Sequence, residues 1–301
     1  MIRRKTVLIL GSGASKPYRF PLGRGLMNEI LFYLDKKNQN NWFNKLRELE
    51  IEDEDYISNF HNELFYSGRK SVDKFLEHRT EFLEIGKITI ALALIPYENK
   101  DILFDIQVRE DSWYEYLFDK LDAPIDLFEQ NKLSIITFNY DRSFEQYLFT
   151  VIKHSYPISE EKCINMLNNI SIIHVHGRLG ALPWQKGPGR PYKTKATLNQ
   201  IKIASEQIMV ISEKIDTSPE FEKAFRLMEN ADKIYFLGFG YDDLNLSRLK
   251  IDKVTNKVIV GTSYGLGKTE VRSIKGKWRN ISFPNSSYKI LEFLKNTVPL
   301  E

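Results

Sequence analysis

The sequence predicts an α/β fold: a Rossmann-like, doubly wound and mainly parallel sheet of about six strands, with a mostly helical insertion at about 37–130. Three observations predict it. Short apolar, β-branched runs recur along the chain without polar alternation, as strands buried on both faces of a parallel sheet do. Helical patterns separate these runs. Each run also ends in glycine or polar residues, at the strand end where an open α/β sheet forms its ligand crevice.

The first run, Thr6-Val7-Leu8-Ile9-Leu10, is closed by Gly11-Ser12-Gly13-Ala14-Ser15 and followed by a helical pattern from about Gly23 to Lys36. It reads as a strand, a tight glycine turn and a helix. In the insertion, Val72, Phe75, Leu76, Phe82, Leu83 and Ile85 form one apolar stripe, and Trp113, Tyr116, Leu117 and Leu121 another. The acidic run from Glu48 to Asp55 reads as a solvated face rather than a metal site. Further strands are predicted at Leu133–Phe138, Ser171–Val175, Lys233–Leu237 and Lys257–Val260, with a weaker one at Asn280–Phe283. Helices are expected from about Asp141 to His154 and between Leu198 and Asn230. The closing apolar pattern at Ile290, Leu291, Phe293 and Leu294 reads as the end of the same domain or as an oligomer contact, so residues 1–301 are read as one domain.

At 42% hydrophobic and 28% charged, the 301-residue chain has the composition of a soluble globular protein with a sizeable core. A formal charge of +3 is too small for a nucleic-acid or membrane footprint, and direct nucleic-acid binding is not expected. A single cysteine, Cys163, excludes an internal disulfide and a Cys-rich zinc site; no metal is expected, and a reducing cytoplasm fits. The apolar run at Thr6 to Leu10 is too short for a signal peptide or a membrane span. Gly261 to Thr269 ends in Gly-Lys-Thr, but threonine stands at 262 where a P-loop needs glycine, which argues against ATP hydrolysis. The loop at 177–197 carries five basic residues and no acid, and is expected to be a mobile lid.

The strand ends converge on one rim. The glycine turn Gly11 to Ser15 lets the backbone approach a phosphate closely, although a ligand-free turn accounts for the same glycines and the third glycine of the dinucleotide fingerprint is missing. Asn139 ends the second strand, where a carboxamide can donate to and accept from a ribose hydroxyl or a water. Asp141 falls where a helix cap is expected, which outweighs a catalytic reading. Alternation along Ile172-Ile173-His174-Val175-His176 puts both histidines on one side of the strand. His176, beside Gly177 and the loop, is the one expected to face the crevice and serve as general base.

Gly11-Ser12-Gly13-Ala14-Ser15 with Pro21-Leu22-Gly23, then Thr137-Phe138-Asn139-Tyr140-Asp141, then His174-Val175-His176-Gly177, resemble in order and spacing the sirtuin-like (silent information regulator) family. With Ser71-Val72-Asp73-Lys74-Phe75-Leu76 and Gly238-Phe239-Gly240-Tyr241, the chain more narrowly resembles the bacterial sirtuin-like domains of antiphage defence, from Val7 to about Ser263. The resemblance implies an NAD-binding domain with Asn139 and His176 at the family's two catalytic positions. It implies a cofactor-binding surface of Gly11, Ser12, Gly13, Ala14 and Ser15 at the pyrophosphate and adjacent ribose, with Asp141, Gly238 and Gly240 and, near the adenosine ribose, Thr262.

Two departures limit what carries over. Deacylating sirtuins have a four-cysteine zinc module, and their Gly-Ile-Pro-Asp-Phe-Arg segment is replaced here by Tyr18-Arg19-Phe20-Pro21-Leu22-Gly23. The activity implied is therefore cleavage of the N-glycosidic bond of NAD+, to nicotinamide and ADP-ribose, with NAD as substrate. The same resemblance implies a homo-oligomer and a separate regulatory protein, such as an ATPase or helicase, as partners. A non-catalytic module that senses NAD or ADP-ribose is the alternative.

Overall fold

The computed structural model describes residues 1–210 and 218–301. Its strands are β1 (Thr6–Leu10), β2 (Leu133–Thr137), β3 (Ser171–His174), β4 (Lys233–Leu237) and β5 (Val258–Gly261). They form one all-parallel sheet in the order β3-β2-β1-β4-β5. The order turns at β1, where ligand crevices of open α/β sheets form. Leu10 pairs with Thr137 on one side and Leu237 on the other, and Thr137 pairs with His174. These four strands therefore stop at one level, and the residues that follow them share a rim.

The sheet has five strands among the described residues rather than six. Residues 280–283 contribute a single parallel bridge between Val260 and Ser282. Asn280 is diverted instead, donating its side-chain amide to the carbonyls of Ile251 and Val254 at 2.6 and 3.2 Å. Pro284 follows and has no N–H with which to extend a ladder.

Every residue of β1 and β4 is buried, as the continuous apolar runs require. Leu8, Leu10 and Ile135 face one apolar cluster, shared with the insertion, while Val7, Ile9, Ile136, Ile234 and Phe236 face another on the opposite side. Helices cover both faces. Helix α1 (Gly23–Leu34) follows the first turn, and the insertion supplies α2 (Phe43–Glu48), α3 (Glu54–Tyr66), α4 (Val72–Leu76), α5 (Leu83–Leu94), α6 (Ile106–Arg109), α7 (Trp113–Leu121) and α8 (Ile125–Phe128). Both predicted stripes are buried apart from the half-buried Leu83 and Tyr116. The acidic run is solvated: Asp53 caps α3 through the N–H groups of Asp55 and Tyr56, and Glu54 pairs with Arg47.

Helices α9 (Ser143–Ser155) and α10 (Glu160–Asn168) lead to β3, and α11 (Leu198–Glu206) and α12 (Pro219–Asn230) lead to β4. Part of the predicted helical stretch, at 211–217, lies outside the described residues. Helix α13 (Asp243–Arg248) connects to β5, and α14 (Lys268–Lys277) and α15 (Ile290–Thr297) close the chain. Ile290, Phe293 and Leu294 of α15 are buried in the same cluster as Trp113 and Leu117 of α7, so the closing pattern belongs to this core. Among the described residues no helix is long and apolar enough to cross a membrane.

The loop at 177–197 is not a mobile lid. Arg190 is buried and pairs with Glu98, which also takes a two-pronged contact from Arg142, and the side chains of Glu98 and Arg142 have no exposure at all. Arg142 Nη1 donates further to the carbonyls of Gly180, Ala181 and Arg190 at 3.2, 3.1 and 2.9 Å. Leu179, Ala181 and Leu182 are buried, and Trp184 stacks on Phe149 with ring centroids 5.1 Å apart. The basic charge that marked the loop as a lid is in part an internal anchor. Glu98→Gln leaves two buried guanidinium groups without their anion and is expected to cost about 3–5 kcal/mol. Thermal unfolding should record a fall in Tm on the order of 10 °C; a wild-type Tm would contradict the anchor.

Candidate functional site

The turn after β1 meets the turn after β4 in backbone contact. A Cβ on Gly11 would lie 2.6 Å from the carbonyl oxygen of Gly238, and one on Gly13 would lie 2.8 Å from the Gly238 Cα. Gly238 itself adopts φ +58°, a left-handed conformation that favours glycine. Gly11 N–H donates to Leu237 O and Gly13 N–H to Gly238 O, both at 3.0 Å, while Ala14 and Ser15 donate to Gly11 and Ser12 within a single turn of 3₁₀ helix. The glycines are thus required by packing, and the amides of Gly11, Gly13, Ala14 and Ser15 are already committed.

Above this contact opens a cleft of about 500 Å³, within the range of roughly 300–1,000 Å³ usual for small-molecule sites. Of the predicted residues it gathers Ser12, Gly13, Gly238, Gly240 and Thr262. Thr262 Oγ1 accepts the Gly238 N–H at 2.9 Å, which ties the β5 end to the β4 turn. Further lining residues went unnoticed in the sequence: Lys16, Tyr264, Lys289 and Asp111, the last two joined in an ion pair of 2.8 Å. Ile290 and Leu291 complete one apolar wall.

Ser15, Asn139 and Asp141 do not line this cleft and form a second group around a separate cavity of about 10 Å³. The Asn139 amide nitrogen donates to Gly11 O and Ser15 Oγ, each at 3.0 Å. Ser15 Oγ donates to Asp141 at 2.7 Å, and the other Asp141 oxygen receives the N–H and hydroxyl of Ser143. Asp141 therefore organises the start of α9 from one position before the cap, where Arg142 stands. Burial pushes its carboxyl up, against the lowering effect of these hydrogen bonds. Ala14 is buried, and its carbonyl accepts from Trp113 Nε1 at 2.8 Å.

His176 is in neither group. β3 stops at His174, and the turn that follows, with Gly177 at φ +73°, ends the alternation that would put both histidines on one side. His174 faces Glu145 of α9, whereas His176 packs between the rings of Phe138 and Phe221, with centroids 5.2 and 5.8 Å away. His176 is 5% exposed, does not line the cleft, and its ring nitrogens have no hydrogen-bond partner of ordinary geometry, although Asn245 stands beside it. Burial, and secondly the charge of Arg248, push its ring down to about 4, so it is neutral at physiological pH. Phe239, on the cleft wall, packs on Phe138 at 4.9 Å and so stands on the cleft side of the ring that covers His176.

His174 pairs with Glu145, a residue that no sequence pattern marks. His174 Nδ1 lies 2.9 Å from the Asn139 carbonyl and Nε2 lies 2.7 Å from Glu145 Oε1. Burial alone would raise the Glu145 carboxyl; the His174 ring outweighs it and holds the group below its ordinary value. Among the described residues, no cluster of three or more metal-binding side chains occurs. No protein-family model matches the chain, and no curated protein matches it.

The His176 ring has a thermodynamic signature. Its folded-state value of about 4 lies below the roughly 6.5 of an unfolded chain, so its contribution is complete above pH 6.5 and is lost as pH falls toward 4. Wild type should lose about 3 kcal/mol more than His176→Asn between pH 7 and pH 4 in denaturant titrations. Parallel loss in the two proteins would mean that the ring is not held neutral.

Proposed function

We propose that this chain is an NAD+ glycohydrolase, which takes NAD+ and water to nicotinamide, ADP-ribose and a proton. One juxtaposition carries the reading: a cleft of about 500 Å³ at the switch point of a parallel sheet, with the strand-end carboxamide of Asn139 fixed to the Gly11–Ser15 turn whose Ser12 and Gly13 line it. Lys16 supplies positive charge in the cleft for phosphates, the charge of Lys289 being balanced there by Asp111, and Ser12 supplies a hydroxyl. Since most turn amides are spent on the fold, phosphate recognition here falls to side chains more than to backbone N–H groups.

Nicotinamide leaves NAD+ as a neutral group from a cationic one. Cleavage through an oxocarbenium-like state consequently needs orientation and electrostatic support more than a strong acid. Oδ1 of Asn139 is suited to accept a hydrogen bond from a ribose hydroxyl or the attacking water. A neutral His176 is in the protonation state that a base requires, and its use demands that the Phe138 or Phe239 ring move aside. Depletion of NAD in bacterial antiphage defence, restrained by self-assembly or by a separate ATPase or helicase, is the role that the sirtuin-like resemblance implies.

The burial of His176 away from the cleft favours one second reading, a module that binds NAD or ADP-ribose without cleaving it. Nicotinamide release from NAD+ at high protein concentration separates the two. Turnover by wild type, with losses of about 10²-fold or more in folded Asn139→Ala and His176→Ala, is expected for the hydrolase. Wild-type rates in both variants overturn the site assignment, and NAD+ binding without turnover favours the sensing module.

A further inference from the structure

We propose that His174 is the positioning residue of this site: with Glu145 it clamps the main chain of Asn139, so that Oδ1 is the single polar atom Asn139 offers to a substrate. Its chemical consequence rests on the glycohydrolase reading; the clamp rests on geometry.

The partners dictate where the hydrogens lie. The Gly11 carbonyl can only accept, so the Asn139 side-chain atom 3.0 Å from it is the nitrogen, and the orientation of the carboxamide is determined. The second hydrogen of that nitrogen serves Ser15 Oγ, and the Asn139 main-chain N–H serves Thr137 Oγ1 at 3.1 Å. The Asn139 carbonyl also only accepts, so Nδ1 of His174 carries a hydrogen. Nε2 lies 2.7 Å from Glu145 Oε1, so both ring nitrogens are engaged, Nδ1 on the Asn139 carbonyl and Nε2 on Glu145, with His174 8% and Glu145 2% exposed. Glu145 sits in the first turn of α9, where the helix N-terminus favours negative charge.

Every hydrogen-bonding group of Asn139 but one is spent in this way. Among the described residues Oδ1 accepts nothing. In an oxocarbenium-like cleavage an acceptor at that point aligns the hydroxyl or water that approaches the ribose. Its aim is set by the backbone that His174 holds, and misplacement by about 1 Å can cost on the order of 10²-fold in rate.

Asparagine and glutamine divide the functions of the ring. His174→Asn keeps a donor near the Nδ1 position, toward Asn139, and His174→Gln keeps one near Nε2, toward residue 145. Both are made with Glu145→Gln, so that no buried carboxylate is left unpaired, and circular dichroism and Tm establish that each is folded. The Gln variant is expected to lose about 10²-fold in kcat for NAD+ cleavage with KM within a few-fold, whereas the Asn variant stays within about 10-fold of wild type. Equal loss in both, or none in either, overturns the proposal. If wild type does not cleave NAD+, the glycohydrolase reading fails and the clamp is decided by NMR. The Asn139 side-chain NH₂ hydrogens should then exchange slowly with solvent in wild type and the Asn variant but fast in the Gln variant; exchange unchanged in the Gln variant overturns the clamp.

Discussion

A single carboxylate, Glu98, holds two guanidinium groups in the interior, and much of the molecule is arranged around that fact. Burying charges rarely adds net stability, because desolvation offsets the attraction. What the cluster does is assign partners. Glu98 belongs to the helical insertion, Arg142 to the start of α9 and Arg190 to the loop after β3, so one anion joins three parts of the chain remote in sequence. Arg142 also spends its remaining donors on carbonyls of that loop, which converts an irregular segment into a fixed wall. Because Arg142 follows Asn139 by only three residues, the anchor that fixes the loop also fixes the strand end on which the candidate chemistry depends.

The site divides into a cleft and a polar knot separate from it. The cleft is open and carries Lys16 and the ion pair of Lys289 with Asp111; in the knot, Ser15, Asn139, Asp141 and Ser143 are bonded to one another. The segment Ser71 to Leu76 braces this arrangement from outside: Tyr140 donates its hydroxyl to Asp73, and Lys74 pairs with Asp242 beyond the β4 turn. The insertion is thereby tied to the ends of both β2 and β4, and the rim is set by side chains from either side of the sheet.

Much of the architecture was legible because parallel strands are buried on both faces and so appear as unbroken apolar runs; Thr6 to Leu10 and Lys233 to Leu237 were read at their observed limits. The place of Asn139 just beyond the end of β2 was legible for the same reason. The failures lie where sequence-local rules stop. Residues 280–283 have the apolar pattern of a strand, but the side chain of Asn280 and the following proline interrupt the ladder. Alternation placed His176 beside His174, yet it holds only while the strand continues. The anchoring of the loop through Arg190 was not legible because its partner Glu98 lies 92 residues away, and the bond from His174 to Glu145 spans 29. Such pairings carry no local periodicity and emerge only from the tertiary fold.

The contact between Gly11, Gly13 and Gly238 bears on how chains of this kind diverge. All three positions answer to one steric demand between two backbones, and that demand persists whether or not a ligand is ever bound. A descendant that had abandoned its substrate would still be obliged to keep these glycines in order to fold, and would carry the signature of a nucleotide site as an architectural relic. The residues free to drift in it would be the polar ones that the fold does not need for closure, and their loss, rather than any change in the glycine turn, would record the change of trade.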